Sequence, residues 1–181
     1  MRKLSSEELE RLSIEDFKSV EKIPIVVVLD NVRSCHNIGS VFRTSDALLV
    51  QKIFLCGITA TPPDKEIRKT ALGAENSVEW EYCKSTLDVV EKLRHEGFTI
   101  VAIEQVEGSI SLNDYLPGKD EKIALIFGNE VKGVQQEVVD ICDKTVEIPQ
   151  FGTKHSFNIS VTVGIVLWDL FNKARKYMVA K

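Results

Sequence analysis

Paired cysteines are missing from this sequence. Its four cysteines, Cys35, Cys56, Cys83 and Cys142, lie far apart and form no C-x-x-C pair. Neither a zinc site nor a disulfide framework is indicated, and no metal is expected; reduced, mostly buried thiols in a cytoplasmic protein are. Long apolar runs are missing too, for none approaches the ~18 residues of a membrane span. The opening "MRKLSSEELERLS" lacks the apolar centre of a signal peptide. No G-x-G-x-x-G follows the first apolar run. A Rossmann dinucleotide site and a glycine-rich methyltransferase loop are therefore disfavoured there. The chain has no P-loop lysine motif, and His155-Ser156 is not set in a G-x-S-x-G elbow, which disfavours nucleotide and serine hydrolysis. A basic excess is absent as well: 23 Lys and Arg face 27 Asp and Glu, for a net charge of −4. That argues against indiscriminate nucleic-acid binding but leaves room for a local basic patch.

What is present is one ordinary domain's worth of chain: 181 residues, 44% apolar and 28% charged. Two capping boxes open it, Ser5 with Glu8 and Ser13 with Asp16, each beside a leucine staple (Leu4 with Leu9, Leu12 with Phe17). They predict a helical arm over residues 1–22, read as a packing or dimer contact. "IPIVVVLD" (Ile23–Asp30) is a β-branched run that suits a strand covered on both faces. A helix His36–Val50 and strand "KIFLCG" follow. Next come a loop with a short helix, strand "VEWEYC", helix "STLDVVEKLRHEG" and strand "FTIVAIEQ". A polar stretch leads to strand "KIALIFG", helix "VQQEVVDICD", strand "KTVEIP" and a last helix from about Phe157 to Lys176. This alternation predicts an α/β domain over 23–181, with a mostly parallel sheet and helices on both faces.

Ligands of such sheets bind outside the carboxyl ends of strands, so three stretches stand out. In the first, Asn37 is a candidate N-cap. Ser40, Arg43, Thr44 and Ala47 share one helix face, with Ile38, Val41, Phe42, Ser45, Leu48 and Leu49 behind. Taken alone, a solvated face with a surface arginine explains it better than a site. The second, "IFGNEVKGV", ends a strand at Gly128, turns through Asn129-Glu130, and has Gly133 where backbone approaches closely or takes a positive φ. The third, "EIPQFGTKHSFNISVTVGIVLWDL", places Ser156 and Asn158 at the start of a helix that is apolar nearly all round. Such a helix is a core element that can also join two subunits.

Together the three resemble the SpoU (TrmH-like) family of RNA 2′-O-ribose methyltransferases, in the SPOUT superfamily. Its first motif, N-x-G-x-x-x-R-T-A, reads "NIGSVFRTS" (Asn37–Ser45). Its second, G-x-E-x-x-G, reads "GNEVKG" (Gly128–Gly133). Its third, I-P-M-x-G-x-x-x-S-L-N-V-S, reads "IPQFGTKHSFNIS" (Ile148–Ser160), with Gln150 and Phe157 as departures. "ALGAENSV" (Ala71–Val78) is similar to an intervening family segment.

The resemblance implies a C-terminal trefoil knot, S-adenosylmethionine as methyl donor, a homodimer and an RNA substrate, transfer RNA ahead of ribosomal RNA. It makes Arg43 the catalytic arginine. A guanidinium is a permanent cation, so a clamp on the developing alkoxide or a phosphate suits it better than a base. Asn37, Ser156 and Asn158 would orient Arg43 and the ribose, and Glu130 would shape the pocket. Cofactor contacts would fall on Gly128, Gly133, Ile148 and Phe157, with Ile103 and Glu104 after the preceding strand. A non-enzymatic RNA-binding dimer and a base-methylating knotted enzyme are the competing readings. The basic tail "KARKYMVAK" and the N-terminal arm are the remaining candidates for RNA contact.

Overall fold

β1 (Ile23–Asp30) is the strand that its β-branched run predicts, and all of it but Pro24 is buried. The computed structural model describes residues 1–5, 7–9 and 11–179, with Glu7 and residues 174–179 described by backbone only. The side chains of the basic tail beyond Lys173 thus lie outside the described residues. β1 pairs in parallel with β2 (Val50–Cys56) on one side and β6 (Ile123–Phe127) on the other. β3 (Trp80–Cys83) extends the first side. β4 (Thr99–Ile103), β7 (Lys144–Glu147) and the two-residue β5 (Ile110–Ser111) extend the second. The order is β3-β2-β1-β6-β4-β7-β5 and every pairing is parallel.

Strand periodicity splits the core in two. Ile25, Val27 and Leu29 of β1, with Ile123, Leu125 and Phe127 of β6, face one layer. That layer packs α2 (Cys35–Ala47), α3 (Lys65–Ala71), α4 (Ala74–Ser77) and α7 (Ile159–Val179). Val26, Val28, Ala124 and Ile126 face the other, where α5 (Thr86–His95) and α6 (Gln136–Asp140) lie. At the carboxyl end of β1 the buried Asp30 ties both halves together. Its carboxylate accepts from Thr86 Oγ1 (2.6 Å), Asn31 Nδ2 (2.9 Å), Gln135 N (2.8 Å) and Gln135 Nε2 (2.7 Å).

Several expectations need correction. The arm holds a 3₁₀ turn at Glu7–Leu9 and α1 (Ile14–Ser19); both capping hydrogen bonds form, Glu8 to Ser5 N and Ser13 to Asp16 N. The staples do not bury: Leu4, Leu9 and Leu12 are exposed, and only Phe17 joins the core. α2 is capped by Ser34, not Asn37, and stops at Ala47, because Leu49 takes φ 56° and Val50 starts β2. The stretch read as merely polar contains β5 and buries Leu112 and Tyr115. The last helix starts at Ile159, leaving Phe157 outside it. Of the cysteines, only Cys56 is fully buried, and burial raises its thiol pKa to about 12. No helix among the described residues is long and apolar enough to cross a membrane.

Candidate active site

The cap of α2 decides what Asn37 can do. Ser34 Oγ accepts from the Asn37 amide at 3.3 Å, which spares the Asn37 side chain from capping. That side chain points to two distant segments. Its Nδ2 donates to Glu130 Oε1 (3.1 Å), and its Oδ1 accepts from Asn158 Nδ2 (3.2 Å). Glu130 also accepts from the amides of Arg33 and Ser34, both at 3.0 Å. A carboxylate at the start of a 13-residue helix complements its dipole. Burial opposes ionisation of Glu130, but these hydrogen bonds more than offset it and hold its pKa below the usual range. Glu130 is thus the anchor of the β1–α2 loop.

The turn after β6 is built by Asn129 and two glycines. Asn129 and Gly133 exchange backbone hydrogen bonds, each 2.9 Å. Asn129 Oδ1 accepts from the amides of Val131 (2.9 Å) and Lys132 (3.2 Å), while its Nδ2 donates to Asn31 O (2.7 Å). Gly133 has φ +69°, and a Cβ there would run into the Glu104 carboxylate. A Cβ on Gly128 would enter the main chain of Gly133 and Val134. What approaches Gly128 so closely is therefore the protein's own returning chain, a contact that ligand approach had been expected to explain. Glu104 is likewise engaged: it accepts from the amides of Val134 (3.0 Å) and Gln105 (2.8 Å).

A cleft of about 750 Å³ lies at the carboxyl ends of β4, β6 and β7. Ile103, Glu104, Gly128, Glu130, Gly133, Ile148, Ser156, Phe157 and Asn158 all line it. Asn158 Oδ1 accepts from the Ser160 amide at 2.9 Å, which seats the first turn of α7. Ser156 is exposed on the cleft and has no side-chain hydrogen bond among the described residues. Between Gln150 and Phe157 no backbone amide among the described residues donates to another backbone carbonyl. The cleft thus borders a run of peptide amides without a backbone acceptor, donors of the kind that a ligand with many polar edges requires.

Arg43 stands apart. It is exposed on α2 and makes no hydrogen bond or ion pair among the described residues. Six residues beyond Asn37, it lies ~9 Å along the axis and about a third of a turn round. The orienting contacts expected from Asn37, Ser156 and Asn158 to Arg43 are not made within one chain.

The sequence profile described as the SpoU rRNA Methylase family matches residues 24–168. The chain belongs to the SpoU methylase family. It is 32% identical over 150 residues to a tRNA (guanosine(18)-2′-O)-methyltransferase of Aquifex aeolicus, covering 80% of this chain and 67% of that one. It is 28% identical over 155 residues to the 23S rRNA (guanosine-2′-O-)-methyltransferase RlmB of Neisseria meningitidis, covering 85% and 61%. The chain spans about two thirds of the length of these relatives or slightly less. The crystal structure of the A. aeolicus TrmH/SpoU tRNA modifying enzyme superposes with a TM-score of 0.80 at 26% identity, over 91% of this chain and 83% of that one. An AdoMet-bound rRNA methyltransferase from Sinorhizobium meliloti superposes with a TM-score of 0.77 at 27% identity, over 89% and 60%. SpoU membership and the parallel α/β sheet are thus as the motifs implied.

Several residues that shape the candidate site are not among those the motifs name. Ser34 outcompeted Asn37 for the cap, and the S-x-x-N spacing was the available signal. Asn129 and Asn31 shape the turns at the strand ends, and Asn31, at φ 56°, is a conformation in which asparagine is enriched. Gln105, whose Nε2 donates to His155 O at 2.8 Å, fastens the β7–α7 loop and left no trace in the sequence pattern.

Proposed function

We propose that this protein transfers a methyl group from S-adenosylmethionine to a ribose 2′-hydroxyl of RNA. The observation that carries the reading is the Glu130–Asn37–Asn158 chain of hydrogen bonds at the cleft. It brings the three SpoU motifs to one place. The methyl donors and substrates named for the relatives point the same way.

The cofactor would lie in the cleft against Ile103, Gly128, Ile148 and Phe157, with unpaired backbone amides of Gln150–Phe157 as its hydrogen-bond donors. When bound, it supplies an electrophilic methyl on a sulfonium. The chain must present the 2′-oxygen in line and stabilise the charge that oxygen gains. Asn37 and Asn158 hold one wall of the site at fixed separation. Ser156 is a free hydroxyl on the same wall. Arg43, uncommitted to any described residue, supplies a guanidinium for the developing alkoxide or the adjacent phosphate.

Transfer RNA is our preferred substrate, and the cytoplasm the place of action. The protein works as a homodimer in this reading. Val161 and Trp168, 48% and 59% exposed, and the half-buried Ile165 form an apolar stripe on α7 that suits a second copy. The trefoil knot belongs to the same proposal.

Incubating the protein with radiolabelled S-adenosylmethionine and unmodified tRNA, then digesting to nucleosides, tests the activity. A 2′-O-methylated nucleoside supports it. A methylated base, or no transfer despite cofactor binding, sinks it. Sedimentation at micromolar concentration tests the dimer, and a monomer refutes it.

A further inference from the structure

A ribose 2′-hydroxyl that attacks a methyl group must lose its hydrogen, and the permanently charged guanidinium of Arg43 does not take it. Among the described residues that line the cleft, the titratable side chains are Glu104, Glu130, Lys132, Glu147 and His155. Lys132 offers an ammonium, which has no lone pair. Carboxylates are weak proton acceptors at neutral pH. Two of these are also occupied, Glu130 by the amides of Arg33 and Ser34 and Glu104 by those of Val134 and Gln105. An imidazole is the side chain suited to accept a proton near neutrality.

Of the chain's three histidines, only His155 lines the cleft. His36 Nε2 meets Glu66 Oε2 at 3.0 Å, and His95 ends α5. His155 is exposed, and its ring has no hydrogen bond or ion pair among the described residues. Its main chain is held nonetheless. The His155 carbonyl accepts from Gln105 Nε2 at 2.8 Å, and three residues on, Asn158 is bonded to Asn37 at 3.2 Å. The backbone at 155 is therefore fixed while the ring stays uncommitted, next to the free hydroxyl of Ser156. The charged groups that share the cleft with the ring are Glu104 after β4, Glu130 and Lys132 after β6, and Glu147 at the end of β7. Lys154 precedes it in the chain, and α6 and α7 line the cleft with neutral side chains only.

We propose that His155 is the general base of the methyl transfer. This rests on the RNA-methylation reading and names the group that receives the proton. The O–H bond of the 2′-hydroxyl breaks as its oxygen bonds to the methyl carbon. The carbon–sulfur electron pair returns to sulfur, leaving a neutral thioether, and the proton passes to a ring nitrogen of His155. Solvent takes that proton from the imidazolium once the product has left. Arg43 and His155 then divide the work, the guanidinium holding the developing negative charge and the imidazole the proton. No other described group lining the cleft combines an uncommitted lone pair with basicity near neutral pH.

The test is single-turnover methylation of unmodified tRNA by the full chain, at saturating RNA and cofactor, from mildly acidic to mildly alkaline pH. The wild-type rate should fall on the acid side as the ring is protonated. H155Q should be slower by ~10²–10⁴ at neutral pH, the usual worth of a general base. Its rate should rise in proportion to hydroxide throughout, with the wild-type plateau gone. S-adenosylmethionine affinity and melting of H155Q should match the wild type, and added imidazole should raise the rate of H155A. A wild-type rate in H155Q overturns the proposal. So does a slower H155Q that keeps the wild-type pH profile, which would make the ring a contact group rather than the base. Failure of the wild type to form any 2′-O-methylated nucleoside is a different result, and it overturns the RNA-methylation reading itself.

Discussion

Asn158 donates its side-chain amide to the Asn37 side-chain oxygen across 3.2 Å, joining residues 121 apart in the chain. The bond fixes the start of α7 against the start of α2. Because Asn37 also donates to Glu130, one side chain sets the spacing of three loops. Asn37→Ala should therefore lower methyl-transfer turnover by ~10², the scale of a small misplacement of reacting groups. Cofactor affinity should change little. Single-turnover methylation beside a cofactor titration checks this, and full turnover would contradict it.

Glycine at 128 and 133 serves the turn's own packing. The alanine variant at 133 must hold φ +69° and displace the Glu104 carboxylate, and left-handed backbone alone costs ~1–2 kcal/mol. At 128 the new Cβ meets main chain, which yields less readily than a side chain. Gly128→Ala should lower the urea midpoint and the cofactor affinity together. Intact stability with lost cofactor binding would instead favour direct ligand approach.

Much of this was legible in the sequence. The apolar β-branched run of β1 read directly as a buried strand, since period and burial coincide there. The second and third motifs pointed to residues that line the cleft, and the first to Asn37, which is hydrogen-bonded to two of them. The bonds within the cleft were not legible. Whether Ser34 or Asn37 caps α2 depends on one turn of backbone, and whether Glu104 faces a ligand or the Val134 amide depends on a contact 30 residues away. β5 escaped notice because two residues carry no period.

Asp30 should behave as a stability residue. It is buried, and its four donors come from Asn31, Thr86 and the start of α6. Asp30→Ala would strand those donors and should cost about 3 kcal/mol, seen in denaturant melts. A loss below about 1 kcal/mol would mean that water or a rearranged loop replaces the carboxylate.

Acid should erode one surface network in a defined window. The hydrogen-bonded ammonium groups of Lys52 and then Lys92 hold the Glu81 carboxyl at about 2, against an ordinary value of 4.5. A depressed carboxylate pKa gives stability that is present above 4.5 and lost as pH falls toward about 2. Solvent screening keeps such exposed pairs within about 1 kcal/mol. Glu81→Gln should therefore lower stability slightly at neutral pH and flatten the acid limb across that window. Parallel acid limbs for the variant and the wild type would refute the assignment.

In the proposed mechanism Arg43 carries the chemical burden, yet its side chain has no hydrogen bond or ion pair among the described residues. A side chain kept for stability would be paired or packed, and this one is exposed and uncommitted among the described residues. Its loss should leave the fold and the cleft unchanged. If its guanidinium stabilises the 2′-alkoxide or the neighbouring phosphate, Arg43→Ala should cut methyl transfer by ~10²–10³ while cofactor affinity and melting stay near wild type. Arg43→Lys should also be poor, because an ammonium cannot present two parallel donors to one anion. Single-turnover methylation of a defined RNA, run with a cofactor titration and a denaturant melt, separates the outcomes. Wild-type turnover in Arg43→Ala would make the arginine an ordinary surface residue. The alkoxide would then have no cationic partner on α2, and the ribose assignment would lose its chemistry.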